Sequence, residues 1–300
     1  MEAEAECFQL MENYEVFRVA SAPEQLFSLT IGQGERPEYS EEFRQEEEGQ
    51  TIICGFRIAN SVISSFRILG QAKRQSRAAN STEQREAVFE FSWWGETAGW
   101  LVCPADYSEA RLILTGNHTK MAIDNALMVM YALATADKGT VLFHAAVVSH
   151  EGRGYMFLGP SGTGKSTHAR LWLQHIEGTE LVNDDNPVVR GNRVYGSPWS
   201  GKTPCYRNVS YPLGGIVLLS QAPYNKIERL GGLQAYAALV PSISGKRWDA
   251  RIADGLHETE NKLATEVPVW HLECLPDEAA AKLCRLNILG QAKRRSRADH

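Results

Sequence analysis

Gly159-Pro160-Ser161-Gly162-Thr163-Gly164-Lys165-Ser166 satisfies the pattern G-x-x-x-x-G-K-[ST] at every fixed position. Glycines at 159, 162 and 164 let the backbone curl and aim its N–H groups inward at anionic oxygens. Lys165 is spaced to reach β- and γ-phosphates, and the Ser166 hydroxyl to ligate Mg²⁺. With Thr167, the segment 159–167 is the expected nucleotide-binding loop. Tyr155–Leu158 before it reads as an apolar strand, and Thr167–His175 after it as a helix whose positive end faces the same charge. The bland alternative is a Gly-rich turn without a ligand, which this strand–loop–helix context disfavours.

Working outward, Leu181-Val182-Asn183-Asp184-Asp185 follows the loop. An apolar pair running into two carboxylates sets acid groups at a strand end, where they can hold Mg²⁺ and position a nucleophile. Upstream, Val141–Ser149 is a nearly continuous apolar run and reads as one buried strand. Glu151-Gly152-Arg153-Gly154 supplies a tight turn after it. His144 lies within that run; a hairpin of 141–149 with 155–158 would carry it to the phosphate end of the sheet. Further strands are expected at Arg193–Tyr195, Gly215–Leu219 and Val267–Cys274. Helices are expected at Ala122–Ala136, Leu233–Leu239, Asp249–Ala264 and Pro276–Leu289, with Pro276 in the first turn of the last. The region before residue 120 reads as β-rich, with strands at Thr51–Phe56, Ala87–Trp94 and Arg111–Leu114. The acidic stretch Glu41–Glu48 reads as a solvated face.

The 300 residues suit one large or two modest domains. The expected division is a β-rich N-terminal region with a linking helix over 1–137, a nucleotide-loop domain over 138–285, and a basic tail over 286–300. A net charge of −5 argues against a broad nucleic-acid-binding face. No apolar run approaches the length of about 20 residues that a membrane helix needs. The opening Met1-Glu2-Ala3-Glu4-Ala5-Glu6 is too acidic for a targeting segment, and a cytoplasmic location is expected. Cys7, Cys54, Cys103, Cys205, Cys274 and Cys284 are scattered, which suits reduced, mostly buried thiols rather than a disulfide frame or a zinc site. Residues 68–78 and 288–298 differ only at Gln75 versus Arg295. Two such distant copies make no solenoid, and the segment reads as an exposed basic stretch. Ser76 and Ser296 within it are candidates for self-phosphorylation.

Phe143-His144-Ala145-Ala146, the loop itself and Leu181–Val189 together resemble the catalytic domain of bacterial HPr kinase/phosphorylase. More loosely they resemble phosphoenolpyruvate carboxykinase, which shares that P-loop fold. The resemblance covers about residues 138–275. It implies a mixed α/β (α+β) P-loop kinase domain in which His144, Lys165, Ser166, Asp184 and Asp185 gather around the γ-phosphate and its metal. Tyr195-Gly196-Ser197-Pro198-Trp199-Ser200-Gly201 and Pro212-Leu213-Gly214-Gly215 are similar to HPr-kinase-related proteins, some of which phosphorylate peptides. The Glu-Arg-Gly-Leu-Gly type signature of HPr kinases is not found, nor the likeness of their N-terminal domain. The expected activity is ATP- and Mg²⁺-dependent transfer of a γ-phosphoryl group to a serine-type hydroxyl of a protein, peptide or small molecule. Lys165, Asp184, Asp185 and His144 are the expected catalytic set, with Ser166 and the two aspartates as metal ligands. A nucleotide-sensing regulator without turnover and a carboxykinase-like lyase are the alternatives. Trp199, Lys202, Arg207 and Arg247 are candidate acceptor contacts, and self-assembly into a homo-oligomer is compatible with these features.

Overall fold

The computed structural model describes residues 2–3, 9–22, 24–38, 65–73, 85–201, 203–247 and 249–295. It is a mixed α/β protein with two sheets and several helices. The chain forms two compact units, one of Met1–Lys138 with Gly245–Ala253, the other of Gly139–Ser244 with Asp254–His300. The expected features at Glu41–Glu48 and Thr51–Phe56, and Lys202, Ser76 and Ser296, lie outside the described residues. None of the described helices is long and apolar enough to cross a membrane.

In the first unit, β1 (Glu2–Ala3), β2 (Ser28–Gln33), β3 (Ser65–Lys73), β4 (Arg85–Trp93), β5 (Glu96–Pro104) and β6 (Glu109–Leu114) form one sheet in the order β1-β2-β6-β5-β4-β3. The β4–β5 hairpin turns at Trp94 and Gly95, both at positive φ, the backbone that matches the twist of paired strands. Helix α1 (Thr119–Thr135) packs on β4, β5 and β6. Its buried Ala122, Ile123, Ala126, Val129, Met130 and Leu133 recur at helical spacing. Residues 245–253 join this unit through Tyr107, a fully buried ring lying under both Lys246 and Arg251 at 5.6 Å. The Tyr107 hydroxyl donates to Asp249 at 3.0 Å.

The second unit has a nine-stranded sheet. Its strands are β7 (Thr140–Leu142), β8 (Ala146–His150), β9 (Arg153–Leu158), β10 (Glu180–Asn183), β11 (Val188–Arg190), β12 (Arg193–Tyr195), β13 (Ser210–Gln221), β14 (Lys226–Leu230) and β15 (Val269–Cys274). Helices α2 (Lys165–His175), α3 (Gly232–Leu239), α4 (Ala250–Glu266, of which Asp254 onward belongs to this unit) and α5 (Glu278–Arg295) complete the described helices. β13 is long enough to serve three neighbours. It pairs β12 at Ser210–Pro212, β9 at Leu213–Leu218 and β15 at Ile216–Gln221. β8 runs antiparallel to β9, β10 runs antiparallel to β8, and β9, β13 and β15 are mutually parallel. The C-terminal ends of β9, β10, β13 and β15 therefore meet the N-terminal end of β8 at one edge of the sheet. Such an edge is where α/β sheets take ligands.

Three departures from the sequence reading have local causes. The run 141–149 is not one strand: it breaks between β7 and β8 because the N–H groups of Phe143, His144 and Ala145 donate to Pro187, Ser242 and Asp185 carbonyls. Pro276 stands before the last helix rather than in its first turn. Asp277 caps it instead, its Oδ1 accepting the Ala280 N–H at 2.8 Å. The segment read as a basic tail continues α5 to Arg295, and Ile288 within it is buried in the core.

That core lies between the sheet and α2 and α5. Trp172 is fully buried at its centre, with its ring centroid 5.4 Å from Tyr155 and 5.6 Å from Phe157. Its Nε1 donates to His168 Nε2 at 3.2 Å. Burial pushes the His168 pKa down to about 4, which keeps the ring neutral and able to accept. Trp172→Ala removes the ring and leaves a cavity plus a buried acceptor without its donor. It should cost about 3–5 kcal/mol of stability, read from the denaturant midpoint. A loss below 1 kcal/mol would mean that this helix–sheet contact is not the core of the unit.

Candidate functional site

The loop leaves β9 at Leu158 and enters α2 at Lys165. Gly159, Gly162 and Gly164 take φ values of 147°, 81° and 106°, a region that side-chain-bearing residues avoid. At Gly159 space matters as well: a Cβ there would lie 3.1 Å from the Leu219 carbonyl oxygen on β13. Gln221, at the end of β13, donates through Nε2 to the Gly162 carbonyl at 3.1 Å. Thr163 Oγ1 closes the loop on the Pro160 carbonyl at 2.6 Å. Ser161 stands exposed, while Ser166 and Thr167 in the first turn of α2 are half-buried.

Lys165 is only 8% exposed. Its ammonium donates to the carbonyls of Gly159 at 2.9 Å and Pro160 at 3.2 Å. Burial lowers its pKa to about 8, opposed by the negative charges of Asp185 and Asp184. The aspartates follow β10 and are both buried. Asp185 accepts from Asn186 Nδ2 through Oδ2 at 2.8 Å. Its Oδ1 lies 3.0 Å from His144 Nδ1, although the ring is off the line of a hydrogen bond and both its nitrogens are buried without a hydrogen-bond partner. Asp184 Oδ2 accepts the Thr203 N–H at 3.2 Å. The loop 159–167, Lys165, Asp184, Asp185 and His144 thus come together at the edge where β8, β9 and β10 meet.

A scaffold behind the aspartates escaped the sequence reading. Asn183 is fully buried; its Oδ1 accepts the Asp185 N–H at 2.9 Å, and its Nδ2 donates to Ser197 Oγ and to the Trp199 carbonyl, each at 3.1 Å. Ser197 Oγ donates to the Asn186 carbonyl at 2.6 Å and accepts the Trp199 N–H at 3.2 Å. Gly201 lets the chain pass close behind the pair, and Gly196 lets it pass against the Arg207 and Val182 backbone. A Cβ on Gly196 would lie 2.0 Å from the Arg207 carbonyl oxygen, and one on Gly201 would lie 3.2 Å from Asp185 Cβ. The asparagines flanking the two aspartates were the available signal.

The expected acceptor contacts fare differently. Trp199 is buried, and its backbone serves the Asn183–Ser197 network. Arg207 is committed to β10, donating to the Leu181 carbonyl at 2.6 Å and pairing with Glu180 at 2.8 Å. Arg247 belongs to the first unit. Among the described residues no three His, Cys, Asp or Glu side chains converge into a metal cage. The thiols of Cys103, Cys205, Cys274 and Cys284 are free. No protein-family model matches the chain, and no curated protein matches it.

Ser197→Ala should lower stability by about 1–3 kcal/mol, because it strands buried partners around the Asp pair. The urea midpoint should fall with an unchanged slope. A midpoint equal to that of the wild type would remove Ser197 from the account of the scaffold.

Proposed function

We propose that this chain is an ATP-dependent kinase with a P-loop domain of the HPr kinase/phosphoenolpyruvate carboxykinase type, acting on a serine-type hydroxyl. One observation carries the reading. A glycine-built loop, a buried lysine, two buried carboxylates and a histidine with Nδ1 beside Asp185 share one sheet edge. Phosphoryl transfer asks chiefly for positioning and charge neutralisation, and this set offers both.

In this reading the loop amides and Lys165 cradle the phosphates, and the ammonium exchanges its two loop carbonyls for phosphate oxygens. Ser166, Asp184 and Asp185 offer hard oxygen ligands that fit Mg²⁺, which takes few protein ligands beside substrate phosphates. When bound, the cation neutralises charge developing on the phosphate oxygens. Asp185 accepts the proton of the acceptor hydroxyl as the acceptor O–P bond forms and the bond from the γ-phosphorus to the departing diphosphate breaks. Asn186 holds Asp185 Oδ2, which leaves Oδ1 turned toward His144 and available to the proton. His144, its backbone pinned by Ser242 at 2.7 Å, presents a ring beside that oxygen.

Lys165→Ala should abolish ATP binding measured by calorimetry while the unfolding transition is retained; unchanged affinity would exclude this loop as the site. Asp185→Asn should lower turnover by about 10²-fold or more with a much smaller change in ATP affinity. Turnover at the wild-type level would remove Asp185 from the chemistry. The lowered Lys165 pKa also fixes a pH dependence. A bound phosphate stabilises the ammonium, so the pKa is higher in the complex than in the free protein. ATP affinity then falls as pH rises through about 8, by up to tenfold per unit. Affinity that rises or stays level from pH 8 to 9.5 would contradict this role for Lys165.

A further inference from the structure

One segment of the second unit lies across the carboxylate pair and carries a hydroxyl of its own. Gly201 approaches both aspartates: a Cβ there would lie 3.2 Å from Asp185 Cβ and 3.5 Å from Asp184 Oδ2. Two residues on, the Thr203 N–H donates to that same Asp184 oxygen at 3.2 Å. Ser200 closes the segment on itself. Its Oγ donates to the Thr203 carbonyl at 2.6 Å and accepts the Cys205 N–H at 3.1 Å. The Thr203 backbone is thus held on both sides, its N–H on the carboxylate and its C=O on Ser200. Thr203 itself is exposed, and its hydroxyl takes part in neither contact. Covalent geometry keeps a threonine Oγ1 at most about 3.7 Å from its own backbone nitrogen, so this hydroxyl lies within about 7 Å of Asp184 Oδ2.

A backbone amide on a carboxylate is an ordinary structural tie, and on that ground alone Thr203 needs no further role. Its place is what distinguishes it. The carboxylate it touches is one of the two at the centre of the candidate site, and an exposed hydroxyl beside it is the kind of acceptor the proposed reaction takes. We propose that Thr203 is a self-phosphorylation site, presented to the site of its own chain by Ser200 and Asp184. The inference rests on the kinase reading of that site. In the step, Asp185 takes the Thr203 hydroxyl proton and an Oγ1–P bond forms to the γ-phosphorus. The bond from that phosphorus to the bridging oxygen breaks, and ADP leaves. The phosphothreonine adds about −1.5 to −2 charge beside two carboxylates. That charge opposes a second triphosphate, so modification turns the site down.

The test uses the full chain with ATP and Mg²⁺, phosphosite mapping by mass spectrometry, and calorimetric titration with ATP. Phosphate is expected on Thr203 and absent from Thr203→Val, which keeps the amide and binds ATP as the wild type does. The acceptor belongs to the same chain, so the fraction modified per unit time should not change on dilution. Ser200→Ala should acquire phosphate about tenfold or more slowly, because it frees the segment from its fixed position. Its ATP affinity should stay unchanged, and Ser200→Thr, which keeps the hydroxyl, should restore the rate. The phosphorylated chain should bind ATP more weakly than Thr203→Val; equal affinity removes the self-limiting role. Protein that binds ATP and leaves Thr203 unmodified overturns this inference alone. A rate that rises in proportion to protein concentration overturns presentation within one chain. Protein that binds no ATP overturns the kinase reading, and this inference falls with it.

Discussion

A lysine ammonium held almost out of water is the constraint on which the site depends. A buried cation must find oxygen on every open side. Lys165 meets that demand with two carbonyls of its own loop on one side and the field of Asp184 and Asp185 on the other. The carbonyls can be aimed at it only if the backbone turns through the left-handed region at three glycines within six residues. In the free protein the lysine therefore braces the loop. In the proposed function, a triphosphate with its cation would replace that bracing with stronger, charge-assisted contacts.

The carboxylates raise the opposite problem, since two adjacent buried acids repel each other. The strands converge on that difficulty. β10 delivers the pair, the β7–β8 break delivers His144, and the chain at 195–201 wraps behind them. Asn183, Asn186 and the Thr203 amide each supply a hydrogen bond to the pair or to its backbone, and Ser197 ties Asn183 to the Asn186 carbonyl. Two close glycines leave room for the wrap. Oxygens that are fixed before a ligand arrives need little rearrangement during the reaction, which is the main economy open to a phosphoryl-transfer site.

Much of this was legible in the sequence because the loop's chemistry is local. A strand, a glycine pattern with Lys165 and Ser166, and a helix follow one another without help from distant residues. Arg193–Tyr195 and the run around Leu181–Val182 were likewise readable from apolar patterning. The break at residues 143–145 was not, because its three N–H groups are satisfied by Pro187, Ser242 and Asp185, partners that no periodicity reveals. Ile68–Lys73 and Ile288–Lys293 make the same point more sharply. The same six residues form part of a strand in β3 and of a helix in α5, so tertiary partners override propensity. The Asn183–Ser197 network spans a loop closed only in three dimensions.

The central claim is that Lys165 and the carboxylates it faces are built around a triphosphate. A crystal structure with a non-hydrolysable ATP analogue and Mg²⁺ tests it most directly. The account predicts that Lys165 Nζ leaves the Gly159 and Pro160 carbonyls for β- and γ-phosphate oxygens, and that His144 faces the γ-phosphate. It also predicts the cation on Ser166 with Asp184 or Asp185. A bound analogue that leaves Lys165 on its loop carbonyls, or that lies elsewhere with His144 turned from it, would contradict the account.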